Sequence, residues 1–227
     1  MRILLAVKSC GQDRDKGYHR TIRDTWGKDV EKEGADLLFF VGADSHVNEL
    51  DEVRVAALDE YHSLPWKTRE IVRYTLSKAY DHIFLCDTDS FIIPRKLMKT
   101  GFENWDYFGI NSKPLGITFS YTAPDRNRKQ WRLAQCWPWM SGGIGYFLSR
   151  KAMEYVSVQE PTIWAEDLNI GQIMGPLYNE GKIKACNGEY EGKAAWHFPR
   201  SRVMREPFSE VMQAWMRDMY ARHSNDS

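Results

Sequence analysis

Three short apolar runs constrain the fold of this chain more than any other feature. Residues 2–7 read RILLAV, residues 36–44 DLLFFVGAD and residues 82–89 HIFLCDTD. None shows the apolar–polar alternation of a half-exposed strand, and each gives way to glycine, a polar residue or an acid. Such runs suit strands covered on both faces, as in a parallel sheet. Between the second and third lies PWKTREIVRYTLSKAY, in which Val72, Leu76, Ala79 and Tyr80 share one face at helical spacing, so a crossover helix is expected. Strand, helix and strand in this order predict an α/β fold built on a parallel sheet.

Further along, IGYFLS reads as a strand entering a helix, with the preceding glycines allowing a tight turn. Near the end, SEVMQAWMRDMYARH carries Val211, Trp215 and Met219 at i, i+4 and i+8, with Ser209 as the expected N-cap. The stretch from Ser112 to Gln135 is the least regular, with the basic tip DRNRKQWR. No repeat, low-complexity linker or composition break divides the 227 residues, so one domain is expected.

The 31 Lys and Arg balance the 31 Asp and Glu, which argues against a surface that coats nucleic acid but leaves room for a local basic patch. Cys10, Cys86, Cys136 and Cys186 are far apart and form no C-x-x-C pair, which speaks against a zinc site and fits a reducing compartment. No apolar run approaches the ~20 residues of a spanning helix, and ILLAV near the start reads as a core strand rather than a signal peptide.

Within IFLCDTDSFII, Asp87 and Asp89 stand one residue apart inside an apolar run. In open α/β sheets ligands bind beyond the carboxyl ends of strands, where these two acids fall. Two carboxylates this close repel unless a cation sits beside them. Hard divalent cations take oxygen ligands and complete their shell with substrate phosphates, so a metal–diphosphate site is one reading. An exposed turn with two solvated acids is the other.

Five stretches in series resemble the β-1,3-galactosyltransferase and Fringe group of glycosyltransferases. IRDTWG (22–27) resembles I-R-x-T-W-G, DEYHSLPWKT (59–68) resembles D-x-Y-x-N-L-T-x-K-T, and DTDSF (87–91) resembles D-D-D-V-F. WPWMSGGIGYFLS (137–149) resembles Y-P-x-Y-x-x-G-x-G-Y-x-L-S, and EDLNIG (166–171) resembles E-D-V-x-x-G. The resemblance implies the GT-A fold, a single Rossmann-like α/β domain with a mostly parallel central sheet flanked by helices, an inverting transfer from a nucleotide-sugar donor (a UDP-sugar above all) to a hydroxyl acceptor, and Mn²⁺ or Mg²⁺ as cofactor. It makes Asp89 the main metal ligand, places Asp87 near the donor ribose or the metal, and makes His197 the completing metal ligand and Asp167 the catalytic base. Thr88, Ser63 and Pro65 depart from the family pattern, and the family's anchor and stem are not expected here. With Met1 as the start, a cytoplasmic, unanchored enzyme is expected. Residues up to about 110 would hold the donor and those from about 111 the acceptor.

The remaining site residues read two ways. Gly142, Gly143 and Gly145 would let backbone approach the substrates, or merely turn the chain into a strand. Trp137 and Trp139 would stack on sugar or base, or pack in the core. Arg23 and Lys67 would neutralise diphosphate, or pair with acids. Glu166 would bind a substrate hydroxyl, or together with Asp167 serve the helix dipole. Adjacent helix residues point apart, so one acid of the pair can face the acceptor while the other braces the helix. A saccharide acceptor is favoured. Arg126, Arg128, Lys129, Arg132, Arg200 and Arg202 lie among aromatics, a mixture that also suits a hydroxymethylated base in DNA. A sugar- or nucleotide-binding module without catalysis is the third reading.

Overall fold

The computed structural model describes residues 1–111, 113–124, 130–199 and 208–224. Its strands are β1 (Ile3–Lys8), β2 (Ala35–Val41), β3 (Glu52–Arg54), β4 (His82–Asp87), β5 (Ser90–Ile92), β6 (Tyr107–Gly109), β7 (Phe119–Pro124), β8 (Gln130–Cys136), β9 (Tyr146–Ser149), β10 (Ala185–Asn187) and β11 (Ala195–His197). Its α-helices are α1 (Gly11–Asp15), α2 (Tyr18–Asp24), α3 (Leu64–Ser77), α4 (Pro94–Leu97), α5 (Arg150–Val158), α6 (Glu166–Asn179) and α7 (Phe208–His223).

Seven strands form the central sheet in the order β10-β6-β9-β4-β1-β2-β3. Pairing is parallel throughout except at β9, which runs antiparallel to β4 and β6. The three apolar runs are β1, β2 and β4, side by side at the centre. Their lack of alternation follows from cover on both faces. Leu5, Val7, Phe39 and Phe84 point to one core with Trp26, Met212 and Met216, whereas Leu4, Ala6, Phe40 and Leu85 point to another with Ile71, Met153 and Ile170. Full burial of each such side chain contributes roughly 1.5–3 kcal/mol. The expected α/β architecture with a mostly parallel sheet is the one observed.

Three local expectations are corrected. Of the expected stripe, Val72 and Tyr80 are buried and Leu76 packs against the same core, but α3 stops at Ser77 and Ala79 turns into the left-handed region at φ 58°, so Ala79 and Tyr80 lie beyond the helix, whose buried face also includes Thr68, Ile71 and Thr75. Helix α7 already includes Phe208, so Ser209 lies inside it, and its deepest residues are Met212, Met216 and Met219, with Val211 and Trp215 at the flank. The stretch read as irregular holds β7 and β8, an antiparallel pair whose Phe119, Tyr121 and Leu133 pack with Trp139 around Cys136, Ile163 and Leu168. Its polar–apolar alternation is short and interrupted by a register shift between Phe119 and Tyr121, which hides the period.

Candidate functional site

The two aspartates sit where strand geometry places them. Asp87 ends β4, Asp89 occupies the turn that follows, and Ser90 opens β5. Ser90 fastens this turn: its Oγ accepts from the Asp87 amide at 3.1 Å and donates to the Gly143 carbonyl at 2.6 Å. From the opposite side the fully buried Trp26 donates its indole N–H to the Ser90 carbonyl at 3.2 Å. The tryptophan of IRDTWG thus braces the turn that carries the acids.

His197 arrives through strand pairing. β11 lies antiparallel to β5 with His197 opposite Ser90, and the Phe198 amide donates to the Asp89 carbonyl at 3.0 Å. His197 Nε2 lies 3.2 Å from Asp89 Oδ1. Asp87, Asp89 and His197 each offer a ligand atom, all within 4.8 Å of one another. Bonds of about 2.1 Å, as for Mg²⁺, put opposite ligand atoms about 4.2 Å apart, so small side-chain rotations would let this trio hold such an ion. Two carboxylates and one imidazole suit Mn²⁺ better than Ca²⁺, whose ligands are oxygens alone. Gly143 makes room for the ring, since a Cβ there would stand 2.7 Å from His197. Burial pushes the Asp87 carboxyl above its usual range, Lys8 opposes the shift and Asp89 adds to it.

The second acid pair opens α6, and its members diverge. Glu166 is buried; it accepts from Lys8 Nζ at 2.8 Å and from the Tyr146 hydroxyl. Asp167 is half-buried, accepting from the Gly142 amide at 3.3 Å and the Leu168 amide at 2.8 Å. Burial and the Glu166 charge raise the Asp167 carboxyl to about 6. A carboxylate of that strength is ionised at neutral pH yet basic enough to accept a proton. Gly142 stands between the pairs: a Cβ there would meet Glu166 Oε2 at 2.8 Å, Lys8 Nζ at 3.2 Å and Asp167 Cβ at 3.3 Å. Consecutive glycines therefore touch the α6 acids and His197, and their Cα atoms are ~3.8 Å apart.

Lys8 is the residue that sequence reasoning missed. It ends β1 in direct register with Asp87 on β4, and its Nζ lies 3.2 Å from Asp87 Oδ1. Only 1% of its side chain is exposed. The signal was present, a lysine at the end of an apolar run that pairs with a strand ending in an acid, but only the register makes it readable.

A cleft of about 490 Å³ opens beside these groups and is lined by Lys8, Asp13, Asp59, Lys67, Asp87 and Asp89, among others. Lys67 is buried at its wall, donating to the Ser9 carbonyl at 2.6 Å and to Asp59. Thr88 donates to Asp13 at 2.9 Å. Behind the wall the buried His19, its basicity lowered by burial, donates from Nδ1 to Glu52 at 2.8 Å and accepts from Ser9 Oγ at 2.6 Å.

Not every residue singled out in the sequence reaches this cleft. Arg23 forms a fork with Asp51 at 2.8 and 2.6 Å and lines a separate depression with Asp36 and Tyr74. Trp139 packs on the β7–β8 hairpin, its ring centroid 5.1 Å from Tyr121, and Gly171 leaves space for it, since a Cβ there would stand 2.6 Å from that of Trp139. Arg132 is exposed and donates to Ser120 at 3.1 Å. Arg126, Arg128, Lys129, Arg200 and Arg202 lie outside the described residues.

An open, mostly parallel sheet with acids and a cleft at the strand ends has a GT-A-like architecture. Solved structures agree on the fold. A glycosyltransferase involved in glycosylation of the major capsid of PBCV-1 aligns over 96% of this chain and 98% of its own with a TM-score of 0.52 at 13% identity. The 4-diphosphocytidyl-2C-methyl-D-erythritol synthase of Anaerococcus prevotii aligns over 95% and 96% with a TM-score of 0.50 at 11% identity. No curated protein matches the sequence significantly. The galactosyltransferase family model matches residues 19–178. The chain belongs to that family and is a glycosyltransferase. No helix among the described residues is long and apolar enough to cross a membrane.

Proposed function

We propose that this glycosyltransferase is metal-dependent and inverting, moving a sugar from a UDP-sugar to a saccharide hydroxyl. One observation carries the reading: a trio able to hold a divalent cation and a separate carboxylate raised to about 6 flank the consecutive glycines Gly142 and Gly143. Departure of the nucleotide builds negative charge on its diphosphate. Asp87, Asp89 and His197 would hold Mn²⁺ or Mg²⁺ there, and the ion supplies neutralisation of that charge without a proton. The chain's own groups do the rest. Asp167 accepts the proton of the acceptor hydroxyl as it attacks, and its amide bonds from Gly142 and Leu168 fix the orientation of the carboxylate. Attack on the face opposite the departing diphosphate inverts the anomeric carbon, and a single base with no protein nucleophile suffices. Gly142 and Gly143 themselves add no side chain beside the base and the cation trio. Lys67 is held by Asp59 and Ser9, so it lends the cleft wall a cation without being free to move with the leaving group.

The donor would occupy the cleft of the N-terminal half, and the acceptor would approach from the side of the β7–β8 hairpin and α6. A cytoplasmic location fits the reduced cysteines, Cys86 and Cys136 being buried as thiols. Among the described residues nothing favours DNA as acceptor.

The test is a panel of nucleotide-sugars with and without Mn²⁺, scored by mass spectrometry for donor hydrolysis and for transfer to a set of glycans. NMR of the first product reads the anomeric configuration. Metal-stimulated transfer with inversion is expected. Full activity in chelator, or retention of configuration, overturns the reading.

A further inference from the structure

Lys8 is a cation buried between two acids. Its Nζ is 2.8 Å from Glu166 Oε2 and 3.2 Å from Asp87 Oδ1, and its ammonium lies 5.8 Å from the centroid of the Tyr146 ring. The Tyr146 hydroxyl donates to the second oxygen of Glu166, so both Glu166 oxygens are engaged by protein donors. Asp87 belongs to the candidate cation trio, and Glu166 precedes the candidate base. A buried lysine stays charged only with close anionic partners, and a buried pair is rigid because neither ion can leave without stranding the other. The lysine comes from β1, Asp87 from β4 and Glu166 from α6, elements far apart in sequence. The Gly142 backbone passes within what would be 3.2 Å of the ammonium for any Cβ, so no side chain can separate the partners.

We propose that Lys8 is a positioning residue that ties the donor-side carboxylate Asp87 to Glu166, and through the first turn of α6 sets where Asp167 stands. This rests on the reading of Asp87 as a cation ligand and Asp167 as the base. The lysine also keeps one oxygen of Asp87 turned inward, and its charge limits the excess of negative charge that any cation at the trio meets. Glu166 is then a structural partner of the lysine rather than a ligand for the acceptor.

The experiment compares Lys8→Met, Glu166→Gln and the double variant with the parent chain. Transfer is measured with the donor found in the panel, Mn²⁺ affinity by the electron paramagnetic resonance of the free ion, and folding by thermal melting. Lys8→Met removes the charge at nearly constant length. It is expected to lower turnover at least a hundredfold while Mn²⁺ binds as tightly as in the parent or more tightly, since a like charge beside a ligand is gone. Adding Glu166→Gln to Lys8→Met should cost less than threefold more, because the two act as a unit. Multiplicative losses, or a Lys8→Met enzyme with parental turnover, overturn the proposal. If Lys8→Met does not fold, Glu166→Gln alone decides. At least a tenfold loss of turnover with Mn²⁺ affinity within twofold of parent is expected, and undiminished turnover overturns the proposal. Asp89→Ala separates the two levels. Undiminished Mn²⁺ affinity in that variant overturns the cation reading itself, whereas its loss beside a fully active Lys8→Met overturns only the role of the lysine.

Discussion

The acids at the end of β4 and those at the start of α6 are both close pairs in sequence, yet they are used in opposite ways. Asp87 and Asp89 are separated by one residue across a strand end and its turn, and both reach the same small volume together with His197. Glu166 and Asp167 are adjacent on a helix, where neighbours point roughly 100° apart, and they part company. Glu166 turns inward to Lys8 and Tyr146, and Asp167 stays half-buried beside Gly142. A turn can converge two charges on one point. A helix start assigns two charges to two environments, which is how one acid becomes a strut and the other is left with a raised pKa.

Breaking the convergent pair should have the largest effect. Asp89→Ala removes the acid at the centre of the trio, and Mn²⁺-stimulated transfer should fall by on the order of 10³-fold or more, given that a bound ion contributes several kcal/mol. The melting temperature should change little, because the acid sits in a turn already fastened by Ser90 and Trp26. Parental turnover in this variant would count against a shared cation.

The divergent pair is tested by Asp167→Asn, which keeps shape and removes basicity. Turnover should drop about 10²–10⁴-fold while the affinity for UDP measured by calorimetry is preserved. A loss below tenfold would locate the base elsewhere.

Gly143→Ala probes the space between the two. Its Cβ would stand 2.7 Å from the His197 ring, so the ring must move. Mn²⁺ affinity should weaken about tenfold, the scale of a disturbed neighbour of a metal ligand, and Asp167-dependent steps should follow only through that loss.

The pH dependence sharpens the same contrast. With Asp167 raised to about 6, log kcat/KM should fall with unit slope as the pH drops below about 6 and level off above it. Asp167→Asn should remove that limb. The stability sign is the reverse of a salt-bridged carboxylate. Between 3.8 and about 6 the folded chain holds a proton that the unfolded chain releases, so stability falls as pH rises through that window.

The smallest effect is expected outside the cleft. Arg23→Ala should lower stability by about 1 kcal/mol or less, the scale of partly exposed ion pairs, and leave the UDP affinity unchanged. A large change in donor affinity would extend the site to the depression beside Asp51.

Much of the framework is local and was therefore readable. β1, β2 and β4 announce themselves because burial on both faces leaves no polar position in a run, and α3 and α7 because one face is apolar at helical spacing. Their boundaries were misjudged by a residue or more, since Ala79 in the left-handed region and Phe208 in the first turn of α7 carry no composition signal. β7 and β8 escaped because a pair of half-exposed strands with a register shift lacks a clean period.

The candidate site divides along the same line. The sequence by itself determined that two acids stand at a strand end and that two more open a helix. It could do so because these features depend on neighbours a few residues away. Only the tertiary structure decided that Lys8 faces Asp87, that His197 comes opposite Ser90, that Trp26 holds the turn and that Arg23 lies elsewhere. Those pairings follow from strand register and packing between segments tens to more than a hundred residues apart. A one-residue slip in register turns a side chain to the other face of the sheet, and nothing within a local window specifies it.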